Sequence, residues 1–591
     1  MPAITRDILI QTLESIALLL ELKNENPFKT RAYTNAARTI EVFSGDFLQI
    51  ARDGQLETIE GIGKAIAAKL TELVTTGTLP YYEKLRAEFP PTIFELFGIP
   101  GLGPKKIKAV WEQLAVSDFA GLEEAAKDGR IAALAGFGQK TATNLVAAIE
   151  QKRKHSGYFL LGDAALVAET ILEDLKGLSD VSQASVAGSY RRRKEVLHDL
   201  DLIVAGKNPA EIIRHFTSHE QVETIIAQGP TKASVRFSSG LQCDLRVVTN
   251  DEFPFALNYF TGSKEHNVIM RSRALDRGWT LNEYRLGPVE ARETGRNSEI
   301  ETPADIPKIF QERDLYRALD LDYIEPELRE GRGEIAAAEE GRLPRLVEIE
   351  NLRGTFHNHT TASDGRSSLS EMADAAMEIG LEYLGIADHS KSSFQAHGLS
   401  EEQLLAQVAE IRNLNASYNG FRLLAGTECD ILKDGALDFS DEILAQLDYV
   451  VASVHSSFTQ SEADMTKRLI RAMENPHVTM LGHLTGRVLL TRESYAVDIP
   501  AIIEAAAATG TIIELNASPY RLDMDWRWWQ LAKEKGVKCA INPDAHHTSG
   551  LQHLWFGVAL ARKGWLEKSD VVNCLPLEKI EAVLQKKRAG R

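Results

Sequence analysis

Residues 184–204 read ASVAGSYRRRKEVLHDLDLIV, and the fold of the middle of the chain turns on them. From Asp199 the run first alternates charged and apolar and then becomes wholly apolar, the pattern of a strand that holds Asp199 and Asp201 on one face. Upstream, Gly188-Ser189 opens a turn followed by a basic run that includes Arg192. A second apolar run, LQCDLRVV (241–248), carries a lone acid, Asp244. Converging carboxylates suit Mg²⁺, a hard cation that completes its shell with water and substrate phosphates, and paired ions serve in-line displacement at phosphorus. A Gly-Ser turn beside them can wrap a triphosphate. The plain alternative is a pair of strand-end acids exposed to solvent; the third acid and the Gly-Ser turn argue against it.

Working outward, the 591 residues exceed what a single core supports and imply roughly three to five domains. Hydrophobic residues at 44% and charged residues at 26% are the proportions of a globular protein rather than a disordered chain. No apolar run approaches a bilayer-spanning length, and the start, MPAITRDILIQ, lacks the apolar core of a signal peptide. Cys243, Cys429, Cys539 and Cys574 are scattered with no CxxC pair, which fits a reducing compartment, so a cytoplasmic protein without membrane attachment is expected. The net charge of −17 excludes a uniformly basic nucleic-acid binder. It leaves room for local basic clusters: KTR at 29–31, PKKIK at 104–108, QKRK at 151–154 and RRRK at 191–194.

The first quarter repeats a small pattern. ETIEGIGKAIAAKLTEL (57–73), LFGIPGLGPKKIKAVWEQL (96–114) and LAGFGQKTATNLVAAI (134–149) each set a Gly-apolar-Gly turn before a lysine and an apolar-periodic helix. The glycine pairs are Gly61 and Gly63, Gly101 and Gly103, and Gly136 and Gly138, with Lys105 beside the second. Glycines permit a tight turn, and free N–H groups at the following helix start can hold phosphate. One such turn is an ordinary helix connection. Three, each with a lysine, read as helix-hairpin-helix motifs that grip nucleic-acid backbone without reading sequence.

The last two-fifths differ in kind. Ten of the fifteen histidines lie beyond residue 350. Apolar strand-like runs such as LEYLGIADH (381–389), LLAGTECDI (423–431) and KCAINPDAH (538–546) alternate with helical stretches, as in a parallel α/β arrangement. Ligands of such folds gather at strand C-terminal ends. There stand His389, Glu428, His455, His483, Asp544 and His546, joined by His357, His359 and Asp364 of HNHTTASD. A set of imidazoles and carboxylates without thiolate suits Mn²⁺, Zn²⁺ or Fe²⁺, and nine ligands call for two or three ions. His397, His477, His547 and His553 do not fit the pattern and read as structural. The charged, Gly-punctuated stretch 325–348 reads as a linker with a short helix.

Gly188-Ser189-Tyr190-Arg191-Arg192, Asp199-Leu200-Asp201, Asp244, YFTGS (259–263) and WTLNEY (279–284), in that order, resemble the family X DNA polymerases over about residues 1–320. HNH, the DGR aspartate, ADH, GTE, SVH, GH and DAH resemble a PHP (polymerase and histidinol phosphatase) domain over about residues 350–575. The joint resemblance implies a multidomain protein: an all-α helix-hairpin-helix N-terminal region, an α+β nucleotidyltransferase palm and thumb, and a C-terminal distorted (β/α)7 barrel. Its implied boundaries are a helical domain at 1–88, a helical DNA-binding subdomain at 89–152, a palm at 153–250, a nucleotide-selection or thumb subdomain at 251–322, a linker at 323–350 and the PHP domain at 351–591.

By position, the resemblance makes Asp199, Asp201 and Asp244 the catalytic, Mg²⁺- or Mn²⁺-binding carboxylates, with Asp244 taking the primer hydroxyl proton. It sets Gly188, Ser189 and Arg192 at the incoming triphosphate, Tyr259, Phe260 and Gly262 at the sugar, and Asn267 and Arg271 at the nascent pair and template. The nine PHP ligands would form a trinuclear centre of a Mn²⁺-dependent 3′–5′ exonuclease that in some relatives also cuts abasic sites, with Arg521 clamping phosphate. Two positions qualify the match. His198 replaces a small residue before the first acid and would crowd the metal site, unless it is merely a solvent-facing strand start. Lys69, with Tyr33 and Lys29, falls where some members carry a Schiff-base lysine for lyase chemistry, yet serves equally as a phosphate contact. The expectation is a monomeric gap-filling repair polymerase acting on gapped or nicked duplex DNA with deoxynucleoside triphosphates. The rivals are a PHP phosphatase of small phosphomonoesters fused to a DNA-binding unit, and a DNA-end scaffold with an impaired polymerase site.

Overall fold

The computed structural model describes residues 6–43, 47–59, 61–99, 101–154, 157–289 and 306–589. The side chains of the QKRK cluster, 151–154, lie outside the described residues. The chain forms two compact units, Met1–Ser156 and Gly157–Arg591.

The first unit is helical throughout its described residues, around one core in which Leu9, Leu13 and Ile16 meet Ile40, Leu70, Ile93 and Ile107. Helix starts follow local chemistry. Asn26 caps Pro27–Val42 by accepting from the Phe28 N–H, and Asp118 caps Phe119–Lys127 by accepting from the Gly121 N–H. The three glycine turns are copies of one geometry. Gly61, Gly101 and Gly136 all take left-handed backbone, with φ of 91°, 82° and 83°. The next residue in each turn, Ile62, Leu102 or Phe137, donates its N–H to the carbonyl three residues back at 3.1 Å. Gly63, Gly103 and Gly138 then accept from the residue four ahead at 3.0 Å, which starts helices Lys64–Thr76, Pro104–Leu114 and Gln139–Lys154.

In the second unit a five-stranded sheet comes first, in the order Val181–Val186, Asp199–Gly206, Gln242–Val248, Lys232–Phe237, Val222–Gln228. Strand Asp199–Gly206 runs parallel to Gln242–Val248 and antiparallel to Val181–Val186. It is an interior strand, and this explains the change of pattern along DLDLIVA. Leu200, Leu202 and Val204 face a core shared with Leu161, Ala164, Ile212 and Phe216, while Ile203 and Ala205 face Phe253, Ala256 and Leu257. The two aspartates at the strand's start are only partly buried.

Helices Phe253–Thr261 and Lys264–Leu275, the antiparallel pair Trp279–Leu281 and Leu286–Pro288, and helix Glu312–Ala318 follow. Their core joins Phe255, Met270, Leu315, Tyr316 and Leu328. The 323–350 stretch contains a turn at Pro326–Leu328 and the short helix Glu334–Glu339. Its charges are not solvated in the manner of a free tether: Glu327, Arg329 and Glu334 are buried.

Beyond it every paired strand is parallel. One sheet orders Gly354–Thr355, Tyr383–Ile386 and Arg422–Ala425; another orders Glu428–Asp430, Val451–Ser453, Met480–Leu481, Ile512–Asn516 and Cys539–Asn542. Parallel bridges His389–Glu428 and Asn358–Ala545 connect the two sheets. Both faces of these strands are covered, so they read as apolar runs. Ser368 with Glu371, and Ser400 with Gln403, close capping boxes that start helices Leu369–Glu378 and Glu401–Asn415. No described helix is long and apolar enough to cross a membrane.

Candidate active sites

Strand Asp199–Gly206 carries Asp199 and Asp201 on one face, and its parallel neighbour, the central strand of the sheet, sets Asp244 in register directly beside Asp201. The three acids of the sequence reading are thus adjacent. Burial, then repulsion from Asp199 and Asp244, pushes the Asp201 carboxyl up to about 7. Burial and Asp244 likewise raise Asp199. Such a cluster is unfavourable in isolation and is relieved by a cation, so the residues present fit a divalent ion. Gly188 takes left-handed backbone, φ 60°, and a Cβ there would lie 2.2 Å from Asp201 Oδ2. Only glycine lets the Gly188–Ser189 turn approach the carboxylates this closely.

Around this cluster, Asn267 donates its amide to the Tyr259 carbonyl at 2.7 Å, and the Tyr259 and Phe260 rings meet edge to face. Arg271 donates to the Asn267 carbonyl at 3.3 Å. Gly262 sits against Arg192, whose guanidinium donates to the Thr261 carbonyl and pairs with Glu330 at 3.1 Å. His198 contacts the Gly157 carbonyl at 3.2 Å and packs on Tyr158. It lies in the bend between Val196–Leu197 and Asp199–Gly206, directly before the first acid, and acts electrostatically on Asp199.

The parallel sheets gather the second cluster. Glu428 lies at its centre: His389 Nδ1 is 2.9 Å, His483 Nε2 2.8 Å, His455 Nε2 3.2 Å and His357 Nε2 3.3 Å from its carboxylate. Asp544 stands 3.2 Å from His359, and Asp364 stands 3.4 Å from His546 and 3.6 Å from His389. Burial would raise Glu428, but His455, His357 and His389 hold it well below the usual carboxylate range. Asp544 is lowered likewise, by His357 and His359, against its burial. Three groups have donor atoms close enough to share an ion: His359–Asp364–His389–His546, His357–His359–Asp544, and His389–Glu428–His455. His357 Nε2 and both ring nitrogens of His359 are buried without a hydrogen-bond partner. Buried polar atoms are costly when unsatisfied, so the donor set fits metal. All nine sequence-derived residues are within this cluster. A cavity of about 570 Å³ opens on it, lined by Asp364, Phe394, His455, Arg521 and His546 among others. Arg521 lies 3.7 Å from Asp544.

In the first unit, Lys69 lies 4.8 Å from the Tyr81 ring centre, and Tyr81 stacks on the buried Tyr33. Lys29 instead faces Glu25 at 3.6 Å.

Comparison with known proteins matches residues 5–79 to a helix-hairpin-helix domain, 93–151 to a SAM-like helix-hairpin-helix tandem, 256–330 to the DNA polymerase beta thumb and 355–518 to the PHP domain. The chain is 39% identical over 580 residues to the DNA polymerase/3′-5′ exonuclease PolX of Bacillus subtilis, spanning 98% of this chain and 99% of that one. The chain belongs to the PolX family, family X DNA polymerases that carry a PHP domain. A probable phosphatase of Thermoanaerobacter is 29% identical over 39% of this chain and 94% of its own length. A Leishmania infantum polymerase beta ternary complex aligns with 40% of this chain and 98% of its own at 23% identity and a TM-score of 0.26.

Within this PolX-family chain, two acids complete the PHP cluster that the sequence reading passed over. Glu514 accepts from His357 Nδ1 at 2.7 Å and from the His483 N–H at 3.0 Å. Asp430 accepts from His455 Nδ1 at 2.7 Å. Such partners fix the tautomer and aim the other ring nitrogen at the metal position. The signal was present: Glu514 is an acid inside the apolar run GTIIELN, as Asp244 is within its own, and Asp430 lies two residues from Glu428 on one strand.

Proposed function

We propose that this chain fills short gaps in duplex DNA, adding deoxynucleotides at the carboxylate cluster and removing 3′-terminal nucleotides at the histidine cluster. One observation carries the reading: both clusters assemble in one chain, Asp201 and Asp244 in strand register and the eight other candidate ligands gathered about Glu428. Asp199, Asp201 and Asp244 would hold Mg²⁺ or Mn²⁺, and the nine PHP residues two or three Mn²⁺, Zn²⁺ or Fe²⁺ ions. When bound, such ions polarise phosphate and stabilise attacking and leaving oxygens.

The protein's own groups supply the rest. Asp244 accepts the primer hydroxyl proton. The turn at Gly188–Ser189, with Arg192, receives the triphosphate; Tyr259, Phe260 and Gly262 bound the sugar; Asn267 and Arg271 face the base pair and template. In the PHP cavity Arg521 orients the scissile phosphate, and Glu514 and Asp430 hold His357 and His455 in place. With Arg422–Ala425 and Glu428–Asp430 taken as one interrupted strand, the Asn358–Ala545 and His389–Glu428 bridges support a closed seven-stranded barrel whose strand ends aim these ligands inward. The three glycine turns support backbone contacts to DNA on either side of the gap, and Lys69 over Tyr81 serves as a phosphate contact on the 5′ side.

One gapped duplex tests the reading. Asp244→Ala should abolish nucleotide addition and spare degradation, and His359→Ala should do the reverse. If either substitution removed both activities while folding and DNA affinity stayed intact, the two-site reading would be wrong.

A further inference from the structure

Lys563 ends helix Leu554–Lys563 of the PHP domain, and its side chain is fully buried, a costly position for an ammonium unless it is paired. Its partners are not in the PHP site. The ammonium donates to Glu330 Oε1 at 2.6 Å and to the Arg192 carbonyl at 2.9 Å, and it lies 4.5 Å from the Trp526 ring centre. Glu330, whose side chain is only 9% exposed, is the last residue of the thumb match. It receives Arg192 Nε at 3.1 Å and faces the half-exposed Lys194 at 3.6 Å. The segment from Arg192 to Glu195 is further braced by PHP residues. The Arg193 guanidinium packs on Trp555 at 4.5 Å, and Arg487 reaches Glu195 at 3.5 Å.

We propose that Lys563, though carried by the nuclease domain, is a positioning residue for nucleotide addition: it neutralises Glu330 and fixes the Arg192 backbone, so that the Arg192 guanidinium keeps its charge for the incoming triphosphate. The proposal rests on the reading of Arg192 as a triphosphate contact. Its electrostatics are simple. With Lys563 present, Glu330 is shared among Arg192, Lys194 and Lys563, and the cluster is net positive. Without it, the buried carboxylate has Arg192 as its nearest remaining partner and draws that charge away from the triphosphate, at short range and in a site of low dielectric. Burial lowers the Lys563 ammonium to about 8 in spite of Glu330 and Glu195, with Arg192 adding to the lowering. The ammonium is therefore charged at neutral pH and becomes neutral as pH passes 8. The charged groups facing it are Glu330 on the thumb side and Arg192 and Glu195 on the palm side, while Lys194 and, from the PHP side, Arg527 act on Glu330.

The test uses the full-length protein and single-nucleotide addition to a gapped duplex. K563M should raise KM for the deoxynucleotide about tenfold, with 3′–5′ degradation and DNA affinity unchanged. Removing the carboxylate as well, in K563M/E330Q, should bring KM back to within about threefold of the parent. An unchanged KM in K563M overturns the proposal, and so does a double variant as impaired as the single one. If K563M also loses degradation, which marks misfolding, the comparison moves to the parent and the double variant, which removes both members of the Lys563–Glu330 pair. The parent's KM should climb relative to the double variant's above pH 8, and a constant ratio from pH 7 to 9 sinks the idea. R192A separates the proposal from its premise. If R192A leaves KM unchanged, the triphosphate reading of Arg192 fails; if R192A raises KM and K563M does not, only the role of Lys563 fails.

Discussion

Gly188 lies so close to Asp201 that a Cβ on it would stand 2.2 Å from the carboxylate, and its φ of 60° is one that side-chain-bearing residues adopt at a cost of about 1–2 kcal/mol. Gly188→Ala must therefore push the turn or the carboxylate aside. A displacement of about 1 Å at a reacting centre costs on the order of a hundredfold. G188A should lose nucleotide addition by at least that factor on a gapped primer and keep 3′–5′ degradation. Wild-type addition by G188A would show that the turn does not set the position of Asp201.

The raised Asp201 carboxyl makes a prediction about pH and metal. Its ordinary value is near 4 and its folded value about 7. Between those limits the folded protein binds the proton that the unfolded chain has released, so through this group stability falls as pH rises from about 4 to about 7. A cation at the cluster must displace that proton below pH 7 and meets a free carboxylate above it. Mg²⁺ should raise the melting temperature more at pH 8 than at pH 6, and its apparent affinity should gain up to about tenfold per pH unit until about 7. D201N should flatten the dependence on pH, leaving only what the raised Asp199 carboxyl contributes. Equal Mg²⁺ stabilisation at both pH values would rule out Asp201 as the titrating ligand.

Glu514 touches two of the nine candidate PHP ligands, through His357 Nδ1 and the His483 backbone, without being one of them. Replacing such an orienting carboxylate weakens metal binding about 10- to 100-fold in comparable sites. E514Q should show that loss when metal content is measured by elemental analysis after dialysis against graded chelator. Degradation should fall with it and return at high metal, while nucleotide addition continues. Full metal retention by E514Q would leave His357 oriented by something else.

What the sequence made legible follows from which signals are local. Asp199 and Asp201 announced a shared face because they begin a strand that then becomes apolar on both sides. The PHP ligands stood out because each closes or follows an apolar run, where parallel α/β folds collect ligands. The glycine turns were legible because left-handed backbone leaves few choices of residue. Partners distant in sequence gave no such sign. Glu330 and Lys563 are 233 residues apart, and each alone reads as a solvated surface charge. The same holds for the 325–348 stretch, whose charges suggested an exposed tether although Arg329 finds Glu312 inside the fold. Composition carries charge but not pairing, and pairing is what determines burial here.

That Arg329–Glu312 pair supplies the last prediction. Glu312 is buried, with Arg329 at 2.5 Å, Arg191 at 2.8 Å and the Tyr323 hydroxyl at 2.9 Å. It ties Arg191, in the basic turn beside Asp199 and Asp201, to the thumb helix Glu312–Ala318. Burial alone would raise its carboxyl, but Arg329 and Arg191 hold it well below the ordinary range. A depressed carboxylate contributes stability that is fully present above its unfolded value, near 4.5, and is lost as pH falls toward the lower folded value. E312A leaves a fully buried guanidinium with no counter-charge, a change that costs about 3–5 kcal/mol when a buried pair loses one member. Native-state amide exchange should show that loss in helix Glu312–Ala318 at pH 7, with the PHP strands unaffected. Nucleotide addition should then fail at a lower temperature than degradation does. Exchange in that helix matching the parent would mean that the arginines find other partners, and that the palm and thumb are not joined through Glu312.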